Sequence, residues 1–172
     1  MQAAVGLCVL FLLLLAGCSL YNSVHDFFFK EKDVEPVEVL VQEGMDEFDS
    51  GNYKSALEYF QKIKDWYPFS KYVTLAELKI ADAHYNLEEY EDAIFAYQEF
   101  ADLHPNNEAV PYVIYQIGRC YFDQMDTNDR DQSVTRKALE NFRQLQTQYP
   151  QKLDAENATD HINKCLKNLR GN

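Results

Sequence analysis

Three stretches of this chain repeat one pattern. Asn52-Tyr53-x-x-Ala56-x-x-x-Phe60 ends in Tyr67-Pro68, Glu89-Tyr90-x-x-Ala93-x-x-x-Tyr97 ends in His104-Pro105, and Lys137-Ala138-x-x-x-Phe142 ends in Tyr149-Pro150. Tyr53 to Tyr90, Ala56 to Ala93, Phe60 to Tyr97 and Pro68 to Pro105 are each 37 residues apart, near the 34-residue period of tetratricopeptide units. The small Ala lets two helices approach, and the aromatic four positions on lies over the same contact. The Pro forces its predecessor out of the helical region and ends the second helix of each pair. One pair cannot bury its apolar face alone. Stacked pairs can, and they leave a concave wall formed by the first helices. The expected fold is therefore all-α, a tetratricopeptide-like superhelix of about three helix pairs plus a capping helix.

The pairs are read from apolar residues at helical spacing. In the first, a helix over 37–49 with Leu40, Gly44 and Phe48 on one face joins, through Gly51-Asn52, a helix over 53–66 with Ala56, Leu57, Phe60 and Ile63. The second pair covers about 71–87, with Leu75, Leu78, Ala81 and Tyr85, and 90–103, with Ala93, Ile94, Tyr97 and Phe100. The third begins near Ala109 with Pro111 in its first turn and keeps the register through Tyr115, Gly118 and Phe122. Its second helix is displaced, because Ala93 to Ala138 and Pro105 to Pro150 are 45 apart, eight more than 37. The extra residues fall in a loop around 125–131. Its run of oxygens lacks the Gly and closing Glu of a calcium loop, so no metal is expected there. A last helix, about 154–169, bears Ile162, Cys165, Leu166 and Leu169. Lys164, Lys167 and Arg170 complement its dipole, and Gly171 supplies a stop, as a cap requires.

Ahead of the repeats, 3–17 is an apolar or small run, shorter than the roughly 20 residues of a spanning helix, and it reads as a secretory signal peptide over 1–17. No basic residue precedes it. Leu15-Ala16-Gly17-Cys18 follows the lipobox pattern, which makes Cys18 the lipidation site and the first mature residue; two or more acyl chains on it hold a protein stably at a bilayer. The alternative is an uncleaved anchor. Residues 18–36 form a tether before the repeat domain over 37–172. Phe27-Phe28-Phe29 within it either docks on a partner or membrane interface or packs on the first repeat.

With 28 acidic against 16 basic residues and a net charge of -12, the chain lacks the basic footprint of nucleic-acid binding. No catalytic pattern is present: His25, His84, His104 and His161 are scattered, and no nucleophile elbow, paired-His or phosphate-loop motif occurs. No catalytic residue, metal ligand or cofactor is expected beyond a lipid on Cys18. Cys120 and Cys165 fall on equivalent positions of neighbouring units, too far apart for a bridge, and are expected as buried free thiols.

Tyr67-Pro68-Phe69-Ser70-x-Tyr72, His104-Pro105-Asn106, Tyr112-Val113-x-Tyr115-x-x-Gly118 and Asp129-Arg130-Asp131-Gln132 before Ala138 and Phe142 occur in the order seen in BamD-type lipoproteins, and over most of 18–154 the chain resembles that family. The resemblance implies a lipid-anchored protein on the periplasmic face of the outer membrane of a Gram-negative bacterium. It implies action with a BamA-like barrel subunit in folding and inserting outer-membrane proteins, the N-terminal repeats receiving C-terminal segments of unfolded substrates. The family usually has about five units, the C-terminal ones contacting BamA, whereas this chain carries three pairs and one further helix, so the resemblance does not carry that contact over. A repeat lipoprotein that assists a secretin or pilus system, or scaffolds peptidoglycan enzymes, is the alternative.

The register places Phe48, Tyr85 and Phe122 at one equivalent position of the first helices, joined on the expected concave face by Met45, Tyr112, Tyr115 and Arg119. Aromatics with one Arg suit a peptide that ends in an aromatic and a carboxylate. The competing reading puts Phe48 and Phe122 in the core.

Overall fold

The computed structural model describes residues 34–125 and 132–170. The expected signal peptide, Cys18, Phe27-Phe28-Phe29, the inserted loop 126–131 and Gly171 lie outside the described residues. Among the described residues seven helices follow in order: α1 Val37–Asp49, α2 Tyr53–Trp66, α3 Val73–Asn86, α4 Tyr90–Leu103, α5 Val110–Asp123, α6 Ser133–Gln148 and α7 Leu153–Arg170. Each packs against the next, and α7 also reaches α5. No described helix is long and apolar enough to cross a membrane.

The turns repeat as closely as the sequence does. Ahead of each Pro, Tyr67, His104 and Tyr149 leave the helix with φ of -129°, -127° and -134° and ψ of 50°, 54° and 50°, the displacement a following Pro imposes. The N–H of the third residue on then returns to each of their carbonyls, from Ser70, Asn107 and Lys152. In the first two turns a side chain finishes the bend, Ser70 Oγ accepting from Tyr72 N–H and Asn107 Oδ1 from Ala109 N–H. This local bonding draws Lys71 and Tyr72 into the turn, so α3 starts two residues later than the apolar pattern indicates. Within each of the first two pairs the chain reverses through one left-handed residue, Gly51 at φ 80° and its equivalent Glu88 at φ 61°. Asn52 and Glu89 N–H groups close these turns onto the carbonyls of Glu47 and His84.

Ala56, Ala93 and Ala138 are fully buried, and so are Phe60, Tyr97 and Phe142 beside them. Opposite the aromatics the first helices carry residues with little or no side chain. A Cβ on Gly44 would stand 3.0 Å from the Phe60 ring, and one on Gly118 would stand 2.7 Å from the Phe142 ring; the second pair has Ala81, fully buried, at this position. Burial of each aromatic stabilises by roughly 1.5–3 kcal/mol, available only at this short separation. Three cores result, one for each pair with the helix that follows it. An internal first helix is therefore covered on two sides. In α3 the buried apolar set is Ala76, Ile80, Ala81 and Ala83, with Asp82 buried beside them, while Leu75, which the single apolar stripe put inside, is 36% exposed.

Ala exceeds Gly in helix propensity by about 1 kcal/mol, whereas overpacking a core costs roughly 1–3 kcal/mol. Gly118→Ala is therefore expected to destabilise and Gly44→Ala to be close to neutral, as read from urea unfolding midpoints. Equal midpoints would disprove the close contact at Phe142. Cys120 and Cys165 are buried free thiols, and burial pushes their pKa up to about 12 and about 11. Because the thiolate is the reactive form, a disulfide reagent at pH 8 is expected to modify neither in the native chain within minutes and both after denaturation.

Candidate functional site: the wall of first helices

The odd-numbered helices meet side by side through one kind of contact. At the seam between α1 and α3, Lys79 Nζ lies 4.3 Å above the Phe48 ring. Between α3 and α5, the Arg119 guanidinium lies 4.9 Å above the Tyr85 ring. Between α5 and α7, the His161 ring lies 4.7 Å from Phe122, edge to face. The repeat position 48/85/122 thus supplies an aromatic ring at each seam, and the following first helix covers it with a nitrogen-bearing side chain. Cation–ring contacts at such partly exposed sites are worth about 0.5–1 kcal/mol.

Each residue expected on this wall has a definite place. Met45 and Phe48 are half-buried against the first core, Phe48 also meeting Tyr53 edge-on at 5.2 Å. Tyr85 is half-buried; its hydroxyl donates to Asp123 Oδ2 at 2.6 Å, with Tyr90 edge-on at 6.0 Å. Arg119 Nη2 lies 3.5 Å from the same Asp123 oxygen. Burial first, and then the bond to Asp123, raises the Tyr85 pKa, so its hydroxyl remains a donor. Tyr115 and Phe122 pack on Phe142 and on His161. For Phe48 and Phe122 the core and wall readings meet, since both rings lean on a core and carry a cover from the next helix. Burial raises the Tyr115 pKa, opposed by Arg119.

Tyr112 is committed to the interior between helices. Its hydroxyl donates to Asp82 Oδ1 at 2.8 Å and accepts from Gln116 Nε2 at 2.9 Å. Asp82, only 5% exposed, also accepts from Tyr97 at 2.7 Å on the same oxygen and from Lys79 Nζ at 3.2 Å on the other. Both tyrosine pKa values rise through burial and then through the charge on Asp82, which keeps the hydroxyls donating. This node ties α3, α4 and α5 together under the wall and holds Lys79 in place over Phe48. Sequence reasoning missed Asp82 and the position of His161. The available signal was a lone acidic residue at 82, where the equivalent wall positions are Met45 and Arg119.

Among the described residues one grouping could hold an ion: His84, Glu89 and Asp92, whose ligand atoms lie within 4.8 Å of one another at the α3–α4 turn. His84 Nδ1 is 2.8 Å from Glu89 Oε2. The two carboxylates are exposed, and an imidazole–carboxylate bond accounts for the arrangement.

Asp82→Ala is expected to destabilise by about 1–3 kcal/mol for each tyrosine hydroxyl left unpaired. Asp82→Asn, which keeps an acceptor oxygen, is expected to recover most of that loss. Chemical denaturation of both variants checks this, and an Asp82→Ala midpoint equal to wild type would remove the node as a structural tie.

The fold agrees with solved tetratricopeptide domains: the first such domain of Spaghetti (RPAP3), bound to the HSP90 peptide SRMEEVD, superposes with a TM-score of 0.57 at 19% identity, covering 78% of this chain and 95% of that one. In sequence, the outer membrane protein assembly factor BamD of Caulobacter vibrioides is 33% identical over 145 residues, 84% of this chain and 46% of that protein. BamD of Neisseria gonorrhoeae is 30% identical over 146 residues, 79% of this chain and 55% of its own length. The chain thus spans about half the length of the curated relatives it matches. The model of the family YfiO, described as outer membrane lipoprotein, matches residues 32–170, so this chain, with its tetratricopeptide-like array and its similarity to the two BamD proteins above, belongs to the YfiO family.

Proposed function

We propose that this chain is a non-enzymatic adaptor in outer-membrane protein assembly, held on the periplasmic face of the outer membrane by lipid on Cys18. Its wall of first helices receives segments of unfolded outer-membrane proteins, in company with subunits of the barrel-assembly machinery. The observation that carries the peptide part is the ladder of rings, Phe48, Tyr85 and Phe122, each beneath Lys79, Arg119 or His161. Such a wall pairs apolar surface with donors and positive charge in a molecule whose net charge is -12. A segment that ends in an aromatic residue and a carboxylate meets both needs, the side chain burying apolar area and the terminus pairing with a cation. The relatives named as assembly factors support the setting, and a solved protein of the same fold that is bound to the peptide SRMEEVD lends support to a peptide ligand.

Arg119 is the cleaner reporter of binding, because its side chain is 36% exposed and its ion pair is an i,i+4 surface pair of little energetic weight. Tyr115 is less suitable, since its ring also supports Phe142 and His161. Arg119→Ala is expected to weaken binding of a barrel-derived C-terminal peptide by about tenfold and to leave the melting temperature nearly unchanged, as fluorescence anisotropy and calorimetry would record. Equal affinities would remove the wall as the peptide site. Capture of the full chain from membranes is expected to retain barrel-assembly subunits, and retention of a secretin or a peptidoglycan hydrolase in their place would overturn the assignment. Mass measurement of the mature N-terminus checks acylation of Cys18.

A further inference from the structure

Of the three seams on the wall, only the one between α3 and α5 combines a hydroxyl, a guanidinium and a carboxylate. Tyr85 Oη donates to Asp123 Oδ2 at 2.6 Å, Arg119 Nη2 stands 3.5 Å from that oxygen, and the guanidinium is stacked over the Tyr85 ring. The aromatic position of the other two seams holds Phe48 and Phe122, which have no hydroxyl. One unit earlier, the residues equivalent to Arg119 and Asp123 are Asp82, buried, and Asn86, which is turned onto the Asp82 carbonyl. The geometry points to an anion seat made by Tyr85 and Arg119, in which Asp123 is a resident carboxylate that the terminal carboxylate of a bound peptide displaces. This rests on the reading of the wall as a peptide site.

Three features make the resident exchangeable. Asp123 and Arg119 share one helix four residues apart, so the carboxylate reaches the guanidinium edge with a single oxygen at the limit of contact. A free carboxylate arriving from solvent can align both oxygens with the guanidinium fork, the stronger two-bond arrangement. Both side chains are also open to solvent, at 36% for Arg119 and 27% for Asp123, so exchange needs no opening of the fold. The hydroxyl is suited to the role because a phenol is protonated and donating at neutral pH, and burial with the bond to Asp123 raises the Tyr85 pKa further. Beside the seat, Tyr90 stands edge-on to Tyr85 and offers apolar surface to the side chain of the terminal residue.

Asp123 is then a specificity-determining residue: it holds Tyr85 and Arg119 in position when no ligand is bound, and it admits only groups that outcompete a carboxylate. A neutral amide terminus does not. The test uses the full chain with N-acetyl-L-phenylalanine and its amide as small probes, followed by the Arg119 side-chain Nε–H resonance, and a barrel-derived C-terminal peptide with free or amidated terminus. The acid is expected to bind and shift Arg119, and the amide to bind at least about tenfold more weakly. Asp123→Asn is expected to tighten the acid at least about threefold and leave the amide unchanged, while Tyr85→Phe, which retains the ring, weakens the acid. Asp123→Asn that leaves the acid unchanged or weaker, or that tightens acid and amide alike, overturns the seat. If both forms of the peptide bind equally in wild type and Asp123→Asn, the seat falls and the wall keeps only its aromatic half, the rings binding side chains without the terminus. Failure of the peptide to bind, with the acid still tightened by Asp123→Asn, keeps the seat and removes the wall reading. Binding of neither probe nor peptide removes both.

Discussion

The approach of each first helix to the aromatic of its own second helix sets the dimensions of everything else. At Gly118 a single methyl group would press to 2.7 Å against Phe142, and at Gly44 to 3.0 Å against Phe60. That separation lets Ala56, Ala93 and Ala138 sit fully buried in the same interfaces. It also fixes where the next pair can stack, because the two faces of an internal helix such as α3 must both be filled. The small residues are thus a geometric requirement, upheld against a helix propensity that would prefer a Cβ.

Once the pairs are spaced in this way, the first helices stand close enough for side chains to bridge from one to the next. Phe48 meets Lys79, Tyr85 meets Arg119 and Asp123, and Phe122 meets His161. The middle seam is the most polar, and the reason lies beneath it. Asp82 is buried with two tyrosine hydroxyls and Lys79 around it, and each buried polar group must find such partners or destabilise the fold. The node holds α3, α4 and α5 in register, and the wall groups above it, Tyr85, Arg119 and Asp123, remain half-exposed and available. The buried node and the half-exposed wall groups thus form two layers of the same helices.

Much of the architecture was readable in the chain. The repeated Ala, aromatic and Pro marked α2 and α4 to the residue, and the residue before each Pro left the helical region, as steric clash with the ring requires. The apolar stripe of α3 was less legible. Its pattern favoured Leu75, but the helix is buried on two sides and the interior instead holds Ala76, Ile80 and Ala83. The candidate wall was legible as a set of positions but not as a set of contacts. Tyr112 carried the same signal as Tyr85, yet its hydroxyl turns inward to Asp82, 30 residues away, while that of Tyr85 turns to Asp123, 38 residues away.

The sequence by itself determined the repeat, the helix ends that Pro marks, the identity of the small residues at the contacts and the ring at each seam, because all of these follow from local sterics and from a period that repeats along the chain. Only the tertiary structure decided which tyrosines face inward, that Asp82 is the node joining three helices, and that Tyr85, Arg119 and Asp123 share one point. Those outcomes depend on side chains 15 to 38 residues apart meeting across helices, and a side chain's partner there is selected by distance and desolvation in three dimensions, which no local pattern encodes.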